Sequence, residues 1–324
     1  MNTRRTLLIA AGANALVVPF ASRAQQPARP ADKPWRIGVL VQANWEAQYA
    51  HFKDGLRELG LVEGRNMLIE FRSAQANIDA LPGLAAELVR LKVDVIVAFQ
   101  TPCVLAAKQA TSSIPIVMGA ADPVGSGIIA SLARPGGNIT GVASLTAELS
   151  AKMLELVREL RPGAKRVGVL ANAKNPFTKT FVGQIENAGV VTGIEIRTAL
   201  VRGVDDYAAA FATWAKLGVD AVIVQTSLPP QRAIELALQH RLPSMSARRA
   251  FAEAGGLLSY SANVRDQGRK AAAYVDRILK GAKPADLPVE QPTRFELLIN
   301  GKTVKALGLK LPQSLLIRAD QVIE

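Results

Sequence analysis

The chain has 324 residues, 49% of them apolar, so it is long enough and apolar enough for two domains of ordinary size. Its single cysteine, Cys103, excludes an internal disulfide and any multi-cysteine metal site. The net charge is +12, but the basic residues are scattered, which favours a solvated surface over a nucleic-acid-binding face. The histidines His51 and His240 lack the spacing of a metal site. We therefore expect no metal and no nucleic acid partner.

The first residues have the composition of an export signal. A basic start with Arg4 and Arg5 precedes an uncharged, mostly apolar stretch, and small residues stand at Ser22 and Ala24. This pattern predicts a signal peptide over residues 1–24, followed by a flexible lead-in over 25–34. The paired arginines are also typical of a twin-arginine signal, so both that route and the Sec route stay open. With no cysteine near the predicted cut, we expect a periplasmic protein without a lipid anchor.

From Trp35 onward, predicted strands alternate with predicted amphipathic helices. Apolar runs at 36–41, 67–72 and 93–99 indicate strands, and the segments between them repeat apolar residues at steps of three and four. A further strand is expected at Ile114–Val117. Asp122 and Pro123 have the pattern of a helix start, which predicts a helix from about Pro123 to Ala133. Such alternation predicts a parallel sheet covered on both faces.

The second half of the chain repeats the first. The segment starting at Val93 is echoed at Val219, Ile37 to Leu40 is echoed by Val167 to Leu170, and Ile114-Pro115 is echoed by Leu242-Pro243. The offsets are 126, 130 and 128 residues. We therefore predict an α/β protein with two similar Rossmann-like lobes, each built on a parallel sheet.

In open parallel sheets, ligands bind beyond the carboxyl ends of the strands, so the loops there are the candidate site. The candidate ligand-binding residues from these loops are Gln42, Asn44, Trp45, Gln100, Thr101, Asp122, Asn172, Asn175, Thr226, Ser227 and Tyr260. No residue is expected to be catalytic, and no cofactor is expected.

Most of these residues have a structural and a functional interpretation. Thr101 and Ser227 are typical of helix caps, and their hydroxyls would also suit an anion at a helix start. Asp122 is either a cap or the partner of a ligand amine. Trp45 and Tyr260 either stack on a flat ligand or pack in the core. The sequence leaves these alternatives open.

Two rival functions are weaker. Gly125-x-Gly127-x-x-Ala130 fits a dinucleotide-binding pattern, with Glu148 placed as its acidic partner, but it follows a late strand and not the first. An NAD-dependent enzyme is therefore the less favoured alternative. A sugar-responsive repressor would need a DNA-binding segment before the first strand, where the sequence predicts an export signal.

Several motifs resemble those of one known family. They are Asp122-Pro-Val-Gly125, Ser131 to Gly141, Gly55 to Gly60, Glu63 to Asn66, Gly255 to Tyr260, Ile278 to Gly281, Pro284 to Val289 and Leu307 to Pro312. Together they resemble the ABC-transporter periplasmic substrate-binding proteins, over nearly everything after residue 35. The resemblance implies the type I periplasmic-binding-protein fold, with a hinge of three crossing segments near 143–147, 261 and 285. The first lobe would then hold 35–145 and 261–284, and the second 146–260 and 285–324, with 301–324 left uncertain.

The resemblance also implies a function. The chain would be the extracytoplasmic solute-binding component of an ABC importer, a monomer that binds a small molecule in the cleft and partners an ABC permease. Some members of the family bind aromatic amino acids, so an amino acid or another small carboxylate is the expected ligand. An extracytoplasmic sensor coupled to a receptor is the alternative, because its ligand binding would be identical.

Overall fold

Two separate β-sheets form the framework of the chain in a computed structural model that describes residues 33–43 and 46–324. The strands of the first sheet are β1 (Trp35–Val41), β2 (Met67–Ser73), β3 (Val95–Phe99), β4 (Ile116–Ala121) and β5 (Ile139–Ser144). Their order is β2-β1-β3-β4-β5, and every neighbouring pair is parallel. All five residues of β3 are buried, as expected for a central strand covered on both faces.

The second sheet repeats this arrangement and extends it. Its strands are β6 (Arg166–Asn172), β7 (Glu195–Val201), β8 (Ala221–Val224), β9 (Ser244–Ser246), β10 (Leu258–Ala262), β11 (Phe295–Asn300) and β12 (Gln321–Ile323). The order β7-β6-β8-β9-β10 matches that of the first sheet position by position. β11 then joins β10 in antiparallel fashion, and β12 pairs with β11. The predicted α/β fold with two similar lobes is thereby confirmed.

Helices cover the sheets as the periodicity of the apolar residues predicts. They are α1 (Glu46–Glu58), α2 (Leu81–Arg90), α3 (Thr101–Ala110), α4 (Thr146–Leu160), α5 (Thr178–Thr192), α6 (Tyr207–Leu217), α7 (Pro230–Gln239), α8 (Arg249–Glu253), α9 (Val264–Leu279), α10 (Gly301–Leu307) and α11 (Gln313–Arg318), with short 3₁₀ turns at Ile78–Ala80, Val204–Asp206 and Pro284–Asp286. In α2, for example, Leu81, Ala85 and Leu88 form the buried face. Across the part of the chain that the structure describes, no helix combines the length and the apolar composition needed to cross a bilayer.

The chain passes between the lobes three times. It leaves β5 at Ser144 and enters α4, which packs on α5 in the second lobe. It returns at Asn263, between β10 and α9, and α9 packs on α1 in the first lobe. The third passage follows Glu290, whose backbone N–H donates to the Gly141 carbonyl.

The third passage lies a few residues later than the expected position near 285. The Leu287 carbonyl accepts from the Thr140 hydroxyl at 2.7 Å, and the Val289 N–H donates to the Leu132 carbonyl at 2.7 Å. Residues 285–290 therefore belong with the first sheet, because Leu287 and Val289 bury their side chains there. The chain joins the second sheet at Phe295. Residues 301–324, which the sequence left uncertain, end as strand β12 on the edge of the second sheet.

The predicted helix from Pro123 to Ala133 is wrong. This segment forms consecutive turns, in which the N–H groups of Ile128 and Ile129 both donate to the Pro123 carbonyl. Gly125 and Gly127 disfavour a helix, and Gly127 adopts a φ of +68°. The turns bury Ile128 and Ile129 against the first-lobe core. The dinucleotide-like glycine pattern thus does not open a helix.

Two glycines bring α1 and α9 into close contact. A Cβ atom at Gly268 would lie 2.8 Å from the backbone nitrogen of Phe52, and one at Gly55 would lie 2.9 Å from the Cβ of Ala272. Both distances are shorter than real Cβ atoms tolerate. The helix that follows the second passage is therefore held to the first lobe by backbone-to-backbone packing.

We predict that Gly268→Ala lowers the free energy of unfolding by about 1–3 kcal/mol, because the added methyl group overpacks this contact. Urea denaturation followed by circular dichroism measures the change. Gly83→Ala in α2 is the matched control: a Cβ there meets no atom within 4 Å. It should be neutral or stabilising by up to about 1 kcal/mol. Equal effects of the two substitutions would contradict the close packing of α1 on α9.

Candidate functional site

A cavity of about 120 Å³ lies between the carboxyl ends of the two sheets. The first lobe contributes Phe99 at the end of β3, Gln100 and Thr101 after it, and Gly119 and Ala121 of β4. The second lobe contributes residues that follow three of its strands and the last two residues of β10, namely Asn175, Phe177, Thr226, Ser227, Ala247, Arg248, Arg249, Ser261 and Ala262. Residues beside the passages between the lobes, such as Ser144 and Val264, complete the wall. Since a water molecule needs about 10–15 Å³ of such space, the cavity has room for roughly ten water molecules or a small ligand of similar volume.

Gln100 holds an unusual position at the edge of this cavity. Its backbone φ of +73° lies in the left-handed region, which is costly for a residue with a side chain. Its N–H donates to the Gly119 carbonyl at 2.7 Å, and its carbonyl accepts from the first turn of α3. The strained backbone is thus fixed by hydrogen bonds, which places the amide side chain at the cavity.

Two buried side-chain oxygens at the cavity have no hydrogen-bond partner among the residues that the structure describes. They are Oε1 of Gln100 and Oγ of Ser261. An unsatisfied buried polar atom costs about 1–3 kcal/mol, so such atoms normally have a partner in the functional state. Both can accept a hydrogen bond, and the Ser261 hydroxyl can also donate one.

Arg248 supplies a cationic group to the cavity. Its guanidinium donates to the Thr226 carbonyl at 3.3 Å within the second lobe and to the Ala43 carbonyl at 3.4 Å in the first. Neighbouring Arg249 lies in an ion-pair network instead, with Glu253 at 2.7 Å and Glu296 at 3.1 Å. Arg248 is thus the lining cation whose guanidinium contacts both lobes, and a guanidinium suits an anionic ligand.

Polar contacts join the two lobes around the cavity. Nε2 of Gln42 donates to the Ser227 carbonyl at 3.2 Å in a buried contact. Farther out, the Lys174 ammonium lies 2.6 Å from the Asp79 carboxylate. The Thr180 hydroxyl lies 3.4 Å from the Asp122 carboxylate. These contacts describe lobes that are closed on each other.

A second cavity, of about 590 Å³, adjoins the first between the lobes. Gln100, Ser227 and Arg248 line both, so these three residues mark the boundary between them. Gln42 lines the second cavity, and its Oε1 atom is buried without a hydrogen-bond partner in the described residues.

The structure brings five of the candidate residues together at the first cavity: Gln100, Thr101, Asn175, Thr226 and Ser227. Gln42 lies at the adjoining cavity. Asn44 and Trp45 lie outside the described residues.

The hydroxyls of Thr101 and Ser227 do not cap helices. That of Thr101 donates to the Ala121 carbonyl at 3.2 Å, and that of Ser227 donates to Oε1 of Gln225 at 3.2 Å. Asn175 caps a local turn, since its Oδ1 accepts from the Phe177 N–H at 3.0 Å.

Three further candidates do not line the first cavity. Oδ1 of Asp122 accepts from the Gly125 N–H at 2.9 Å, which makes this residue a cap of the turn after β4. Oδ1 of Asn172 accepts from the Lys174 N–H at 2.9 Å, which closes another turn. Tyr260 packs its ring 6.2 Å from that of Phe295, because the alternation along β10 puts it on the opposite face from Ser261.

Sequence reasoning did not select Arg248, Ser261 or Phe177 as individual residues. Arg248 is the second residue after β9, so the rule about strand ends marks its loop but does not distinguish the arginine from its neighbours. Ser261 lies one position from Tyr260, and only the pairing of β10 decides which of the two faces the cleft. Phe177 looks like an ordinary helix residue in sequence, yet it is a buried residue just before α5 that borders the cavity.

Cys103 lies in the first turn of α3, two residues beyond Thr101, and is fully buried. Burial raises the pKa of its thiol well above the ordinary value, because the thiolate would have no solvation. It does not line the cavity.

We predict that Cys103 fails to react with Ellman's reagent at pH 8 in the folded protein, because both its burial and its raised pKa suppress the thiolate. In guanidinium chloride the same protein should titrate one thiol per chain. Rapid labelling of the native protein, at a rate near that of a free thiol, would contradict the buried position.

The fold and the cleft define a two-lobed binding protein in which a small molecule is held between parallel sheets. Residues 37–323 match the family model for ABC transporter substrate binding protein, so the chain belongs to this family. Members of the family are extracytoplasmic, bind small-molecule ligands and work with ABC permeases.

Individual relatives are similar over most of the chain. A tyrosine-binding protein from Clostridioides difficile (strain R20291) is 28% identical over 271 residues, covering 80% of this chain and 76% of the relative. The crystal structure of an ABC domain in complex with L-Trp from Streptococcus pneumonia is 27% identical, with a TM-score of 0.82, covering 90% of this chain and 100% of that one. A glucose-galactose binding protein from Geobacillus stearothermophilus shares the type I periplasmic-binding fold alone, at 18% identity and a TM-score of 0.62, over 82% of this chain and 98% of that one.

Proposed function

We propose that this substrate-binding protein captures a small carboxylate, with amino acids the first candidates, in the cavity between its lobes and presents the closed form to an ABC permease. The position of Arg248 is the observation that carries this proposal. Its guanidinium lines the cavity and donates to backbone carbonyls of both lobes. An anion bound by Arg248 would therefore contact a guanidinium whose position is fixed by hydrogen bonds to both lobes.

The donors and acceptors of the cavity suit a carboxylate with a neighbouring hydrogen-bond donor. A guanidinium can bind a carboxylate with two hydrogen bonds. The unpartnered oxygens of Gln100 and Ser261 would then accept from an amine or a hydroxyl of the same ligand. Two relatives, one named as a tyrosine-binding protein and one crystallised with L-Trp, support amino acids as candidates.

Part of the remaining lining is apolar. Phe99, Val142, Leu149, Phe177 and Val264 border the same space. A ligand with an apolar side chain would bury that surface, and each Å² of apolar area removed from water stabilises the complex by about 25 cal/mol. We therefore favour carboxylates with an apolar side chain over small, wholly polar ones.

Closure is the proposed mechanism of capture. The inter-lobe contacts Gln42 to Ser227 and Asp79 to Lys174 form only when the sheets approach, so they belong to the same state as the closed cavity. We further propose that the protein is a periplasmic monomer without a lipid anchor, exported through its N-terminal signal, and that it performs no catalysis.

We predict that Arg248→Met weakens binding of a small carboxylate by about 10- to 100-fold, because a charged hydrogen bond contributes about 1.5–3 kcal/mol. Thermal shift with the twenty amino acids and a set of 2-hydroxy and 2-keto acids identifies a ligand, since binding raises the melting temperature. Isothermal titration calorimetry with that ligand then compares the variants.

Arg232→Met is the matched control, because Arg232 pairs with Glu235 on an exposed helix face of the same lobe and does not line the cavity. It should leave affinity unchanged. Absence of any stabilising carboxylate, or equal affinity of Arg248→Met and the unaltered protein, would contradict the proposed function.

A further inference from the structure

Three residues lie side by side across the first sheet at one end of the cavity. Phe99 of β3 is the register partner of Gly119 in β4, and Gly119 is the partner of Val142 in β5. All three line the cavity. Because neighbouring residues in register share a face of a parallel sheet, they form a continuous row across the three strands.

The middle position of this row has no side chain, and the aromatic ring beside it occupies the space. A Cβ atom at Gly119 would lie 2.3 Å from Cδ1 and 2.7 Å from Cε1 of Phe99. The backbone of Gly119 is not in the left-handed region. Glycine is therefore needed here because the Phe99 ring leaves no room for a side chain, and not because of the backbone conformation. Glycine within a strand often marks a place where another group must approach closely.

This row borders the first cavity and does not line the adjoining larger one. Gln100, Ser227 and Arg248 are shared with the adjoining larger cavity, whereas Phe99, Gly119 and Val142 line only the first. A ligand whose carboxylate meets Arg248 therefore places its apolar group toward the row.

We propose that Gly119 is a specificity-determining residue that sets the size of the ligand's apolar group by letting the Phe99 ring lie against β4. This inference rests on the proposed function. A side chain at 119 displaces the ring. Phe99 belongs to a buried cluster with Val117 and Val142 and also borders the cavity, so we expect the displaced ring to move into the cavity and reduce its volume.

The test compares ligands that share one head group and differ in size. The probes are alanine, valine, phenylalanine and tryptophan, each with its 2-hydroxy acid counterpart, titrated calorimetrically into the unaltered protein and into Gly119→Ala. We expect the variant to bind the largest ligand that the unaltered protein accepts at least tenfold more weakly. Its affinity for the smallest accepted ligand should change by less than about threefold.

Two further variants test whether the Phe99 ring causes the loss of affinity in Gly119→Ala. The double variant Phe99→Leu with Gly119→Ala should regain affinity for the largest ligand, because the smaller side chain accommodates the new methyl group. Phe99→Leu alone should extend binding to ligands larger than those the unaltered protein accepts, and it tests the proposal even where Gly119→Ala folds poorly.

Gly168→Ala is the matched control. A Cβ atom at Gly168 in β6 would lie 2.8 Å from the Trp214 ring, a similar clash in a strand that does not line the cavity. It should lower stability without changing the order of ligand preference.

The proposal would be overturned if Gly119→Ala lost affinity equally for all ligands, if it lost none, or if the unaltered protein accepted only the smallest probes. Failure of every carboxylate to bind the unaltered protein would instead contradict the proposed function itself, and this inference with it.

Discussion

The contact between α1 and α9 fixes where the cleft of this protein can form. α9 follows the second passage between the lobes, and its first residue, Val264, lines the cavity. Gly55 and Gly268 allow the two helix backbones to meet without intervening side chains, so α9 is held to the first lobe along its length. The end of β10 in the second lobe and the start of α9 in the first are separated by Asn263, whose side chain caps α9 through the Asp266 N–H. The polar loops of the two sheets are consequently held opposite each other.

The cavity that results is asymmetric in chemistry. The boundary with the adjoining cavity carries the Arg248 guanidinium and the Gln100 amide, whereas Phe99 and Val142, on either side of Gly119 in the first sheet, give the first cavity an apolar wall. An amphipathic ligand enters such a space in one orientation, since burying its charged group against Phe99 and Val142 would leave that charge unpaired. The larger sheet of the second lobe supplies the cationic end, and the five-stranded sheet of the first supplies the apolar end.

The sequence predicted the architecture well because the architecture depends on local periodicity and on a repeat. The alternation of strands and helices and the echo of Val93 at Val219 were sufficient for two parallel lobes, and the rule about strand ends led to Gln100, Thr101 and Ser227. The helix expected after Asp122 did not form, because the capping pattern is local whereas the burial of Ile128 and Ile129 depends on the first-lobe core. The third passage was misplaced because it depends on hydrogen bonds between Leu287 to Glu290 and residues more than a hundred positions earlier. Tyr260 and Ser261 differ by one residue, and only the pairing of β10 with its neighbours determines which of them reaches the cleft.

The buried position of Cys103 has a practical consequence for studying closure. A protein whose sole native thiol is shielded accepts engineered cysteines elsewhere as selective attachment points for dyes, with little background labelling. Asp79 and Lys174 lie on opposite lobes and touch in the closed form, so fluorophores placed near that pair would report the distance between the lobes in single molecules. The distance between the two fluorophores would follow the opening of the cleft, and the rates at which the lobes separate and close would become directly observable.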